Sequence, residues 1–216
     1  MTLKKLFPIK RSFVIALCLT AFCISEAKTS LFSIKSGNPL ILLQEYKTAT
    51  FEIDYSNMMV TNGKDHGYDL NFREWMITQD EDKGKWIEDW EKKDSAECNK
   101  AFREKFNDEV KKGLKLSKLG KDYHVVLHLE MIDFGPSVKY GLGGIKGGEA
   151  KANGEIEVRD LKTNEILLVS CFNELSGESS FKQIGRLKGL FENLGEQLNE
   201  YLQDYQKQQK KLNKKK

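Results

Sequence analysis

The sequence predicts an α+β domain: a two-layer sandwich in which a mostly antiparallel sheet of about four to five strands is packed by two helices. Three stretches carry the prediction. Between Tyr46 and Asn57, Ala49, Phe51, Ile53 and Tyr55 alternate with Thr48, Thr50, Glu52 and Asp54, the period of a half-buried strand. Residues 122–175 read as three further strands, the first two joined by the glycine-rich segment GLGGIKGG, Gly141 to Gly148. From Phe181 to Tyr205, apolar residues recur every three or four positions, an amphipathic helix of about six turns. A sheet with one polar face must cover the other, and this helix and one other can do so.

The first 27 residues stand apart. MTLKKLFPIKRS is basic, FVIALCLTAFCI is apolar, and Ser25 to Ala27 forms an A-x-A-like cleavage site. That order is a secretory signal peptide, cleaved near Ala27. The apolar run is shorter than the about 20 residues a spanning helix needs. Phe22 and Leu17 stand where a lipobox wants a small residue, so lipid attachment at Cys23 or Cys18 ranks second. Removing the leader takes four of 35 basic and one of 32 acidic residues, leaving 31 of each. The +3 of the whole chain therefore belongs to the leader, and no basic stripe for nucleic acid remains. Cys98 and Cys171 are left, on a predicted helix and a predicted strand, and read as buried thiols in preference to a disulfide.

Residues 28–206 form one domain. PLILLQ is a strand or buried connector, and NFREWMI a short extended piece. Trp86, Ile87 and Trp90 share helical spacing. Asp94 and Glu97 fit the N-cap of a helix whose stripe is Cys98, Ala101, Phe102, Phe106 and Val110. DYHVVLHLEMIDFG, EAKANGEIEVRDL and EILLVSCFNEL are the three later strands, the last apolar on both faces and therefore placed centrally. Ser180 and Gln183 make a capping box for the final helix. Residues 207–216, with six lysines, form a disordered basic tail.

DYHVVLHLEMIDFGPS with its glycine-rich segment, and GEIEVRDLKTNEILLVSCFNELSG followed by the long helix, resemble a group of small exported proteins of Gram-negative bacteria. More loosely, the order of elements over residues 46–205 is similar to the N-terminal domain of the translocation protein TolB and the periplasmic domain of the curli secretion channel. The resemblance implies an envelope location, periplasmic or outer-membrane associated, with secretion also open. It brings no catalytic residue with it.

Enzymatic chemistry finds little support. A P-loop needs Gly-Lys-Ser or Gly-Lys-Thr, whereas Lys146 precedes Gly147; a dinucleotide fingerprint starting at Gly141 needs glycine at 146. No cofactor is expected. The sharpest metal candidates are His124 and His128, on one strand face, with Glu155 and Glu157 across the hairpin. Four residues of strand span about 13 Å, too far for both histidines to hold one ion. Gly141, Gly143, Gly144 and Lys146, with Trp86 and Trp90, are candidate partner contacts. Trp75, Trp86 and Trp90 could also form a ligand platform, although core packing is commoner for tryptophan. The expected function is a non-enzymatic binding or assembly module acting on another envelope protein, with the lysine tail touching anionic membrane. The alternative is a metal-dependent or carbohydrate-active hydrolase on the polar sheet face.

Overall fold

A computed structural model describes residues 31–61, 70–78, 85–136, 138–141 and 144–214, with 138–141 and 144–146 as backbone only. The leader and Gly143 lie outside the described residues. The strands are β1 (Phe32–Gly37), β2 (Thr48–Asp54), β3 (Met59–Thr61), β4 (Leu70–Asn71), β5 (Lys115–Leu116), β6 (Tyr123–Asp133), β7 (Val138–Gly141), β8 (Gly144–Gly147), β9 (Lys151–Asp160) and β10 (Ile166–Ser176). The helices are α1 (Phe72–Thr78), α2 (Lys85–Asp89), α3 (Ser95–Glu109) and α4 (Gln183–Asn213).

The α+β character holds, but the sheet is larger and more mixed than the sequence predicts. Eight strands join it, in the order β1-β10-β9-β6-β2-β5, with β3 and β4 extending the β6 side. β6, β9 and β10 form the expected antiparallel meander, and β1 adds to β10 antiparallel. β2 instead lies parallel to β6, from Ala49 opposite Tyr123 to Asp54 opposite His128, and β5 and β3 add further parallel pairs. The reason is the connection. Helices between β2 and β6 carry the chain back to its starting end, and such a crossover yields parallel strands. Apolar patterning reports which face is buried, not strand direction. β10 is accordingly one strand from the edge.

Two local readings also change. PLILL is a 3₁₀ turn, capped by the Asn38 side chain accepting from Leu40 N. Phe72–Thr78 is helical, not extended.

The helices lie on one face of the sheet. α2 runs through a π-helical turn (Trp90–Asp94) into α3, so Asp94 sits in helical backbone and caps nothing. Phe102 stacks on Phe51 of β2 at 4.5 Å, fixing α3 to the sheet. α4 buries Leu187, Leu190, Phe191, Leu194, Leu198 and Leu202, each worth about 2 kcal/mol of burial. The chain's close approach to it needs glycine: a Cβ on Gly177 would sit 2.4 Å from Leu190 N of α4. On the strands, Gly154 leaves room for the Phe172 ring, 2.8 Å from where its Cβ would be.

The tryptophans belong to this core. Trp75 is 2% exposed and stacks on Phe134 at 4.4 Å. Trp90 is buried edge-on to Tyr55 and Phe72, and Trp86 packs edge-on against Trp75. Trp75 and Trp90 are thus buried and Trp86 half-buried, so the three rings form no exposed platform.

The glycine-rich segment is itself a hairpin. β7 and β8 pair antiparallel, Val138 with Gly147 and Gly141 with Gly144, as a separate two-stranded sheet. Its base is held by Arg186 of α4, which is 1% exposed. Arg186 Nε donates to Ser180 O at 2.6 Å, and Nη1 to Phe134 O at 2.8 Å and Gly135 O at 3.3 Å. Gly148 bridges to Ser180. The expected capping box does not form: the Ser180 hydroxyl accepts from Lys182 N at 3.2 Å, and Lys182 is the N-cap residue of α4 and makes no side-chain capping bond. At its other end α4 stays helical to Asn213, through lysines that composition alone assigns to a disordered tail.

Candidate functional site

With the helices on one side, the opposite face of the sheet is polar and uncovered among the described residues. Register places Asp54, His128, Glu155, Cys171 and Ser33 in one row across five strands. His128 Nδ1 lies 3.0 Å from Asp54 Oδ2. Glu155 pairs with Lys35 of β1, and Cys171 Sγ lies 3.8 Å from Glu155 Oε1. One pair of residues along the strands, Arg159 forks onto Glu157 Oε1, its Nη2 at 2.7 Å and its Nε at 3.1 Å. His124 meets the Thr50 hydroxyl through Nδ1 at 2.7 Å and Glu52 through Nε2 at 3.5 Å.

The four candidate metal ligands are therefore each engaged by a different neighbour, although His128 and Glu155 are register partners. His128 goes to Asp54, His124 to Thr50 and Glu52, Glu155 to Lys35, and Glu157 to Arg159. Among the described residues no three or more metal-binding side chains come together. The histidines face carboxylates on β2 rather than those across the β6–β9 hairpin. That follows from the parallel β2–β6 register, which the residue pattern does not disclose. Asp54 and Lys35 are thus site residues missed by sequence reading.

Asp54 is held below the usual aspartate range, chiefly by hydrogen bonds from Ser56 and further by His128. A carboxyl with a depressed folded pKa contributes stability above its unfolded value, near 3.8, and loses it as pH falls through the folded value. Acid titration of an Asp54→Asn variant should accordingly show a flatter stability profile below pH 3.8 than the parent. Parallel profiles would remove Asp54 from the acid-sensitive groups.

Cys98 is buried among the helices, and burial pushes its thiol up to about 12. Cys171 lies across the sheet on the open face, and both are free. The expected pair of buried thiols is thus one buried and one half-buried.

The end of this face beside β3 is bent. β6 bulges between Leu129 and Met131, and β10 between Phe172 and Leu175, on either side of β9. Glu174 adopts φ +50°, held by its N–H donating to Asn153 Oδ1 at 2.7 Å. A cleft of about 300 Å³ opens there, lined by Thr61, Met131, Asp133, Lys151, Asn153 and Glu174. Of the candidate contact glycines, Gly141 and Gly144 form the last pair of the β7–β8 hairpin, and Lys146 is in register with Lys139.

Fold and face together define an α+β domain with one helix-covered and one open sheet face. No protein-family model matches the chain, and no curated protein does. Among solved structures it is similar to a PelC dodecamer from Paraburkholderia phytofirmans in two crystal forms. A point variant in space group C2 has a TM-score of 0.37 and 12% identity, covering 78% of this chain and 95% of that one. The space group P6 form has a TM-score of 0.37 and 11% identity, covering 76% and 94%. A likeness at that level says nothing about the function of this chain.

Proposed function

We propose that this chain is a non-enzymatic binding or assembly module of a Gram-negative envelope, contacting another envelope protein through its open sheet face. The observation that carries the reading is that face: five strands wide, polar, with histidines and acids engaged by fixed neighbours. A preordered surface of that kind loses little side-chain entropy on docking. The leader-like first 27 residues support export, and the resemblance to small exported proteins supports the envelope. Paired histidines and carboxylates suit a recognition surface better than the hydrolase alternative, which needs them convergent on one point.

Cys171 offers the test. Because the Cys98 thiol is buried, a maleimide photocrosslinker will attach at Cys171 in the folded protein. Irradiation in native envelopes should give one discrete protein adduct, lost when Arg159→Glu reverses charge on the same face. A smear of adducts, or one indifferent to the reversal, would overturn the reading. So would stoichiometric zinc in the purified protein that disappears with His128→Ala.

A further inference from the structure

The end of the sheet opposite the β7–β8 hairpin exposes apolar side chains on three separate loops. Tyr46 is 97% exposed, Leu119 82% and Leu161 46%. Backbone bonds stitch these loops together: Lys115 N to Lys47 O, Asp122 N to Thr48 O, and Leu161 N to Asp122 O. Tyr46 is the most telling of the three. It takes φ +64°, a left-handed conformation unfavourable for an aromatic residue, and presents its ring to solvent. The ring gains no burial within the domain.

Lysines surround these tips. Lys118 and Lys121 flank Leu119, and Lys162 follows Leu161, all exposed. Two acids of the same end are engaged inwardly, while Glu45 and Glu165 are exposed. Asp122 accepts from Thr48 N and pairs with Lys47, and Asp160 accepts from Lys162 N and Thr163 N. α4 reaches the same end. Gln203 and Gln206 line a cleft with Glu45, Lys111 and Lys112, and beyond them Lys207, Lys210 and Lys211 are exposed on the helix. Leu212 beside them is 56% exposed.

We infer that this pole docks on an anionic lipid surface, its apolar tips entering the headgroup region while the lysines meet the phosphates. Apolar side chains amid lysines are what an interfacial contact needs, since burial of the tips and attraction to anionic lipid add. A soluble protein partner of acidic character would account for the lysines but not for three isolated apolar tips on loops. The inference uses a surface separate from the open sheet face, so either can fail alone.

The test is flotation of the purified protein with two vesicle types. One contains phosphatidylglycerol and phosphatidylethanolamine, the other phosphatidylcholine alone. Binding to the anionic vesicles only is expected, weakened by added salt. Lys118→Gln, Lys121→Gln and Lys162→Gln together should weaken it roughly 100-fold, about fivefold per lysine. Tyr46→Ser, Leu119→Ser and Leu161→Ser together should weaken it about tenfold or more. All six positions are exposed, and unchanged urea midpoints will confirm that the variants fold. Equal binding to phosphatidylcholine, or loop variants that bind like the parent, would overturn the proposal. A loss confined to Lys207→Gln, Lys210→Gln and Lys211→Gln would also overturn it, leaving the helix end alone as the lipid contact.

Discussion

Replacing Arg186 by methionine will lower the unfolding free energy by about 3 kcal/mol, read as a lower urea midpoint at unchanged slope. Methionine keeps the length and helix propensity of the side chain. It leaves the carbonyls of Ser180, Phe134 and Gly135 without this donor. A buried acceptor stripped of its partner costs about 1–3 kcal/mol, while removing a buried cation returns part of that. Arg186→Lys should fall in between, because one ammonium cannot reproduce a planar fork spread over three carbonyls. A loss below about 1 kcal/mol for the methionine variant would mean that Arg186 does not hold the base of the hairpin.

Trp75→Ala will cost about 4 kcal/mol, by loss of a large buried ring and the cavity it leaves. Trp75→Phe will cost far less, within about 1.5 kcal/mol. The indole Nε1 is buried with no hydrogen-bond partner among the described residues, so phenylalanine removes a desolvated donor along with the volume. Thermal or urea denaturation of the two variants decides between core and surface. Were the tryptophans a ligand platform, both variants would remain near parental stability and alter binding instead. Stacking of Trp75 on Phe134, and of Trp90 against Tyr55 and Phe72, argues for the core.

The candidate surface was partly legible before folding. His124, His128, Glu155 and Glu157 stand on the polar face that alternation assigns them, half-buried but outward. Their partners were not legible. Asp54 meets His128, and Thr50 meets His124, only because β2 lies parallel to β6, and the two strands are separated by a long helical excursion. Lys35 reaches Glu155 from β1, a strand whose alternation in FSIKSG is too short to stand out. The docking pole was legible only at its lysine tail. Tyr46, Leu119 and Leu161 lie far apart in the chain, and each reads as an ordinary loop hydrophobe.

Local periodicity therefore settled which residues of the regular strand segments face inward, where the long strands β2, β6, β9 and β10 run, and that a long amphipathic helix follows them. Those are properties of short windows, in which burial on one side imposes a period of two or 3.6. Past the β6 bulge periodicity failed, since Met131 turns out and Ile132 turns in, and Phe181 lies exposed before the helix. Strand direction, the extra edge strands, the merged α2–α3 helix and the clamp made by Arg186 depend on residues distant in sequence. Backbone hydrogen bonds between strands carry no side-chain signature of partner or direction. A buried arginine reads as a surface arginine until its carbonyl partners are brought to it. The open face and the lysine-rich pole, where function is proposed, are products of that tertiary assembly.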